Sequence, residues 1–436
     1  MAFFNAAPFN GIHPADEKSA TRYKPVEHLT TKDGDEFYLF LSQHIGAPAQ
    51  CIVKKGQSVL AGELIATASG FISANIHSPV DGIVQSIDLS ADHPVSGKAP
   101  CIVIKAVEQS GEYMRIDREI TNIADVAKVA GIVGLGGAMF PAHVKLSPKN
   151  QLDTLIVNGA ECEPFLTCDH RQMLERTWDL VQGALLIKDA LKLKEVIFAI
   201  ETNKRDAIRS IESMAGNKAR VQPLHQIYPQ GGEKQQIFTV TGREVPEGKL
   251  PSDINIILHN VSTVLALRDA IVDRKPLISR VITISGGVRE PKNILVPLGT
   301  PISRLVEACG GIKSSRRGRK IIIGGPMTGC TAQSLNIPSY KGMNGIVALR
   351  EPLFEPKTQP CVRCGRCIEA CPQNLSPLML ESYARNSMLE DLHSHRLLSC
   401  IECGACSYAC PSKRPLKNLF KLAKPAVMGY AKNLSV

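Results

Sequence analysis

The sequence predicts a multidomain α/β protein: a small β-rich unit, a parallel α/β unit, a second β-rich unit and a short helical module held by cysteines. Three observations predict it. Of 14 cysteines in 436 residues, eight fall between Cys361 and Val436, which marks a compact cysteine-ligated module near the C-terminal end. Helical and extended patterns alternate between Ile123 and Val272, as they do where helices cover a mostly parallel sheet. Short β-rich runs broken by glycine fill Cys51 to Lys105 and recur after Val281. At about 100 to 200 residues per domain the length accommodates three or four domains. An apolar content of 44% with 21% charged residues does not suit disordered or collagen-like chains.

Taken in order, residues 1–40 carry turn residues and charges with little periodicity, and an extended segment is expected there. Residues 41–110 hold the runs CIVKKGQSVL, GELIATA, NIHSPVDGIVQSI and CIVIKAV. This pattern resembles a biotinyl or lipoyl carrier domain, which implies a barrel-sandwich. Such carriers present a lysine at a hairpin tip; Ala68 to Ala74 has none, so a structural or docking role is expected instead of covalent carriage. Residues 120–275 form the α/β unit: IADVAKVAGIV reads as helix, DTLIVN as strand, residues 171–191 as one helix, EVIFAIE as strand, KRDAIRSIESMA as helix, and INIILHN as strand before STVLALRDAIV. Ligands of parallel sheets bind at the carboxyl ends of the strands. Residues 276–350 look like a β-grasp unit of the soluble-ligand-binding type. Residues 351–436 comprise a Pro- and Lys-containing linker, the cysteine module and a basic tail.

The cysteines follow one motif twice: Cys361-x2-Cys364-x2-Cys367-x3-Cys371-Pro372 and Cys400-x2-Cys403-x2-Cys406-x3-Cys410-Pro411. This run holds [4Fe-4S] clusters in two-cluster bacterial ferredoxins, where the fourth cysteine of each motif serves the other cluster. Cys361, Cys364, Cys367 and Cys410 are therefore assigned to one cluster, and Cys371, Cys400, Cys403 and Cys406 to the second. Two all-cysteine zinc sites are the alternative, but those usually pair separated C-x2-C units.

A glycine-rich segment, Gly131-Ile-Val-Gly134-Leu135-Gly136-Gly137-Ala138-Met139-Phe140-Pro141, precedes Lys145. Glycines let backbone amides approach a phosphate, and the lysine offers a countercharge; alone, the stretch reads equally as a tight turn. Its company is Val157-Asn158-Gly159-Ala160-Glu161-Cys162-Glu163-Pro164, Tyr228-Pro-Gln-Gly231-Gly232-Glu233-Lys234 and Asn260-Val-Ser-Thr263. In this order, and with the cysteine module behind it, the chain resembles the C subunit of the Rnf electron-transport complex. Its central part is similar to the flavin- and NADH-binding subunit of respiratory complex I. The resemblance implies FMN and NAD(H). Gly134, Gly136, Gly137 and Lys145 would cradle the FMN phosphate, and Asn158, Asn260 and Thr263 would hold the rest of the flavin. Phe140 would stack on the nicotinamide side, and Glu161, Glu163 and Glu233 would shape the NADH pocket, with Phe140 and Glu163 at the catalytic position. Leu135, Ala160 and Lys234 depart from the complex I pattern, which has Arg, Asp and Glu there.

The function expected from the resemblance is NADH oxidation, or NAD reduction in reverse, by a peripheral subunit on the cytoplasmic face of the membrane. Electrons would pass singly through two clusters to membrane subunits that drive ion translocation, and to ferredoxin. Three other readings are a non-enzymatic electron-relay and docking subunit; a cobalamin reductase, in whose family the flavin loop lies close to the N-terminus instead of after residue 130; and the A subunit of the sodium-translocating NADH dehydrogenase, which would lack the eight-cysteine module. No stretch reaches the roughly 18 uninterrupted apolar residues of a spanning helix, and the start Met-Ala-Phe-Phe-Asn-Ala-Ala-Pro has no basic n-region, so reduced thiols are expected. Pro411 to Val436 carries Lys413, Arg414, Lys417, Lys421, Lys424 and Lys432 and no acid, a tail suited to an acidic partner or membrane face or simply solvated. The basic run Arg316-Arg317-Gly-Arg319-Lys320 lacks interleaved aromatics, and no nucleic-acid partner is expected.

Overall fold

The computed structural model describes residues 9–117, 119–314, 319–350 and 357–434; most of the run at 316–320 and of the linker after residue 350 lies outside them. At the centre is a four-stranded, wholly parallel sheet in the order Arg220–Leu224, Glu195–Glu201, Thr154–Gly159, Ile256–Asn260. The two middle strands, TLIVNG and EVIFAIE, are apolar runs buried on both faces, as parallel strands between helix layers must be. Because all four strands point one way, Asn158 and Asn260 end up side by side in register at one edge. The covering helix Arg205–Ala215 shows why these segments are helical: it buries Ala207, Ile208, Ile211 and Ala215, one stripe at helical spacing. The single helix expected over 171–191 is two, Cys168–Glu175 and Thr177–Leu191. Arg176 leaves helical geometry between them, and its guanidinium binds Asp179 at 2.8 Å and Asp269 at 2.5 Å.

The N-terminal unit is a barrel-sandwich. Strands Glu36–Phe40, Gly97–Ala106, Gly82–His93 and Ser58–Val59 form one sheet, and Gln50–Cys51, Leu64–Thr67 and Ile76–His77 the other. It leans on the glycine-rich loop: the Ile45 amide donates to the Met139 carbonyl at 3.1 Å. The fully buried Lys341 binds the carbonyls of Asn75 in the barrel and Gly131 beside the loop, at 2.6 and 2.7 Å. Burial lowers the pKa of this ammonium to about 7.

The second β-rich unit is a six-stranded mixed sheet ordered Val26–His28, Lys292–Pro297, Ser279–Gly286, Gly345–Arg350, Arg319–Ile323, Cys330–Thr331, with helix Ile302–Ala308 packed into its core. Its first strand comes from the segment expected to be a plain extended lead-in. That segment is a strap. Ile12 forms a bridge with Tyr228, and Lys18, 2% exposed, donates to the carbonyls of Glu161, Glu163 and Leu166 at 2.7, 2.9 and 2.5 Å. The residues it binds lie more than 140 positions away, so no local periodicity could announce it.

The cysteine module is helical. Its last helix, Leu416–Leu434, buries Leu416, Phe420 and Val427 in one cluster with Leu380, Leu392, Leu397, Cys371 and Cys406. The basic tail is thus partly internal: Arg414 binds Glu381 at 2.6 Å, Lys417 the carbonyls of Met327 and Thr328, and Lys424 that of Cys400. Among the described residues no helix is long and apolar enough to cross a membrane.

Candidate functional site

The eight motif cysteines separate into two groups of four. Cys361, Cys364, Cys367 and Cys410 line one cavity, with Val362, Arg363 and Arg414 on its rim. Cys371, Cys400, Cys403 and Cys406 line another, closed by Leu380, Lys417 and Phe420. The fourth cysteine of each motif has crossed to the other group. It crosses because each x3-Cys-Pro step follows a short helix, Arg366–Glu369 or Ala405–Ala409, and those two helices pack against each other. The four thiols ring a cavity instead of closing on a point, and among the described residues no group of three or more His, Cys, Asp or Glu is placed to hold a single metal ion. Two cavities, each walled by four thiols, fit two iron–sulfur clusters. Burial and neighbouring thiols push Cys403 and Cys406 up to about 12, and a bound metal's charge would favour their thiolate forms.

The two sites differ in surroundings. Cys361 and Cys364 are exposed, whereas Cys371 and Cys406 are buried. The second site faces the α/β unit: Tyr228, 2% exposed, donates its hydroxyl to the Cys403 carbonyl at 2.7 Å. Ile12, Tyr228, Ala370 and Ala405 share a buried apolar cluster flanked by Cys162, Met327 and Cys403. The Cys371 group is therefore the inner site and the Cys361 group the outer one.

At the carboxyl edge of the parallel sheet, the glycine-rich loop makes a shelf. The Gly134 amide donates to the Phe140 carbonyl at 2.8 Å, closing the loop and leaving Gly136, Gly137 and Ala138 exposed at its tip. Gly137 has a φ of +106°, and a Cβ there would meet nothing within 4 Å; backbone faces open space, as an anion cradle requires. Gly136 faces Asn260, the N-cap of helix Val261–Arg268. Across the opening Lys145 pairs with Glu233 at 2.5 Å. Gln230, Gln235 and Gln236 each keep a buried side-chain oxygen without a donor. The exposed backbone of the loop tip with one cation beside it fits a phosphate-bearing ligand.

Several predicted residues are placed differently from their expected roles. Thr263 is fully buried, and its hydroxyl accepts the Leu135 amide at 2.9 Å, so it holds the loop from behind. The Asn158 carboxamide is spent on Gly231, Ala160 and Gln236, and that of Asn260 on Ser262 and Asp169; both shape the walls. The Glu161 carboxylate accepts from the Asp169 amide at 2.7 Å, at the start of helix Cys168–Glu175, and burial raises its pKa to about 7. Glu163 accepts from the amides of Met327 and Thr328 at 3.0 and 2.7 Å. A Cβ on Gly325 would collide with its carboxylate. Glu163 thus locks the second β-rich unit to the loop after the central strand and does not face the opening. Of the three acids Glu233 is the one paired with Lys145, while Phe140 is half-buried at the root of the loop. Lys18, Asp169, Tyr228, Lys417 and Lys424 make contacts around the two sites that the sequence did not single out. Tyr228 stands three residues before a glycine pair of the flavin pattern; the others carry no motif.

Four family models match in succession: the RnfC barrel sandwich hybrid domain over residues 8–109, the Nuo51 FMN-binding domain over 127–269, the SLBB domain over 281–331 and the 4Fe-4S dicluster domain over 360–414. FMN and two iron–sulfur clusters are thus the cofactors of this chain. Over 395 residues the chain is 41% identical to the C subunit of the proton-translocating ferredoxin:NAD(+) oxidoreductase complex of Clostridium ljungdahlii, covering 87% of this chain and 85% of that one. It is 41% identical to the C subunit of the ion-translocating oxidoreductase complex of Rhodobacter capsulatus, with 95% and 82% covered. With the C subunit of the Na(+)-translocating ferredoxin:NAD(+) oxidoreductase complex of Acetobacterium woodii it shares 36% identity, with 96% of each covered. Among solved structures, a chain of an NAD+-reducing [NiFe]-hydrogenase in the air-oxidized state has a TM-score of 0.50 at 17% identity, over 70% of this chain and 62% of that one, a likeness of fold alone. With relatives this similar across nearly its whole length, the chain belongs to the family of C subunits of ion-translocating oxidoreductase complexes.

Proposed function

We propose that this chain is the NAD(H)-reactive, electron-distributing subunit of an ion-translocating complex, working between NADH and ferredoxin in either direction. FMN, when bound, supplies the conversion between a two-electron hydride and single electrons, and the clusters supply one-electron relay positions. The chain's own residues bind, orient and insulate. Gly136, Gly137 and Lys145 hold the phosphate end; Asn158, Asn260 and Thr263 fix the walls; Phe140 and Glu233 border the side where nicotinamide approaches. Lys18, Glu161 and Glu163 keep the 161–166 loop rigid. The observation that carries this reading is the Tyr228–Cys403 contact, which joins the flavin unit to the inner cluster site. Cys371, Cys400, Cys403 and Cys406 would hold a one-electron relay cluster beside the flavin unit, and Cys361, Cys364, Cys367 and Cys410 a second one whose exposed Cys361 and Cys364 would face partners. Those partners are the membrane subunits and a ferredoxin or ferredoxin-like subunit, and the chain attaches peripherally at the cytoplasmic face.

Anaerobic purification with flavin extraction, iron and sulfide assay, and addition of NADH tests it: NADH should bleach the flavin spectrum, and Lys145→Ala should lower flavin content with iron intact. The internally engaged Glu161 and Glu163 and the buried Leu135 favour a second reading, an electron relay with NADH bound on another subunit. A flavin reduced by dithionite but not by NADH would select it.

A further inference from the structure

Two cluster sites written with one motif differ in what touches the ligands' backbone. At the inner site, two side chains from outside the motif donate to ligand carbonyls: the Tyr228 hydroxyl to Cys403 at 2.7 Å and the Lys424 ammonium to Cys400 at 2.5 Å. Lys424 also pairs with Glu402 at 2.8 Å. A second ammonium, Lys417, lines the same cavity, held by the carbonyls of Met327 and Thr328 at 2.9 and 3.0 Å. At the outer site, Arg414 is held by Glu381 and by the Gln359 carbonyl. Among the described residues no side chain donates to the carbonyl of Cys361, Cys364, Cys367 or Cys410.

We propose that Tyr228 and Lys424 set the reduction potential of the inner cluster, holding it above the value its motif alone would give. Reduction adds negative charge to the cluster and its thiolates. A donor fixed on the carbonyl of a ligating residue draws electron density out of that peptide, and a cation held in a water-poor site stabilises added charge more than the same cation in solvent. Tyr228 comes from the flavin unit and Lys424 from the last helix, so the docking of those two elements is what distinguishes the inner cluster. This rests on the assignment of Cys371, Cys400, Cys403 and Cys406 to one cluster.

The test uses the full chain prepared anaerobically with both clusters, in Tyr228→Phe, Lys424→Gln and Lys424→Arg forms, titrated with reductant and followed by EPR. Tyr228→Phe and Lys424→Gln should each lower the midpoint of the inner signal, by up to about tenfold in the reduction equilibrium or about 59 mV for one electron, and leave the outer midpoint in place. Lys424→Arg should restore it. Unchanged inner midpoints in both variants with iron content retained would overturn the proposal, as would equal shifts at both clusters, the mark of a general loosening. Loss of the inner cluster from one variant leaves the other to decide; loss from both would make the contacts structural only and overturn tuning as well. Cys371→Ser must abolish the signal that shifts. If it abolishes the other signal, the cluster assignment has failed and not the tuning.

Discussion

The inner and outer cluster sites are spelled by the same cysteine motif at the same spacing, yet one is touched by a tyrosine of the α/β unit and the other has two exposed ligands. The outer site is walled by its own loop together with Leu378, Glu381 and the Cys410 to Leu416 segment, with Val362 67% exposed at its rim. The inner site is closed by Phe420 and Lys417 of the final helix and touched by Tyr228 of the α/β unit. A motif supplies ligands; burial, access and electrostatics come from whatever packs on it. Among the described residues the inner site touches the α/β unit and the outer one has exposed ligands, the contrast on which the proposed relay rests.

The largest effects should follow from removing a ligand. Cys371→Ser should cost the inner cluster and Cys410→Ser the outer, each removing about four of eight irons, opposite to their positions in the motifs. Iron and sulfide assays with EPR decide it, and matching losses would mean uncrossed ligation. Ending the chain after Pro415 comes next. It strips Phe420 and Lys417 from the inner cavity and should destabilise that cluster while the outer one survives; retention of both would show the last helix to be dispensable. Phe420→Ala, a smaller version of the same cut, should destabilise the module by about 3–5 kcal/mol. With both clusters present, a chelator or brief air exposure should bleach the outer site first, and equal rates would contradict the contrast in access.

Changes at the flavin opening should leave both clusters alone. Gly136→Val presses on the Asn260 side chain, 3.3 Å from where its Cβ would lie, and should lower FMN occupancy at constant iron. The smallest effect concerns the loop between flavin unit and inner site. Folding raises Glu161 from 4.5 to about 7, so between those values the unfolded chain binds fewer protons than the folded one. Stability contributed by this group is therefore present below about pH 4.5 and lost as pH climbs through about 7. Glu161→Gln should flatten that part of a melting-temperature profile against pH, and an unchanged slope would mean that Lys18 holds the carboxylate ionised throughout.

How much of this was legible beforehand varies by feature. Four successive folds could be read because periodicity and glycine punctuation are local, and the cluster ligands because their spacing is local too. The strap was not, since Lys18 finds its acceptors only after the central loop has folded. The partners of the acids were hidden for a related reason: Glu161 and Glu163 stand in a suggestive run, and a helix start and a loop from another unit take up their carboxylates. The basic tail read as either a docking element or a solvated helix because charge pattern alone does not show that Lys417 and Lys424 bind carbonyls inside the protein.

By itself the sequence determined the cysteine spacings, the shelf of Gly136 and Gly137, the parallel run of strands and the order of the units, all properties of residues close together along the chain. Only the tertiary structure decided which cluster is inner, which acid pairs with Lys145, and what Tyr228 touches. Those depend on groups brought together across hundreds of residues, where a buried hydrogen-bonding group must find a partner whatever its distance in sequence.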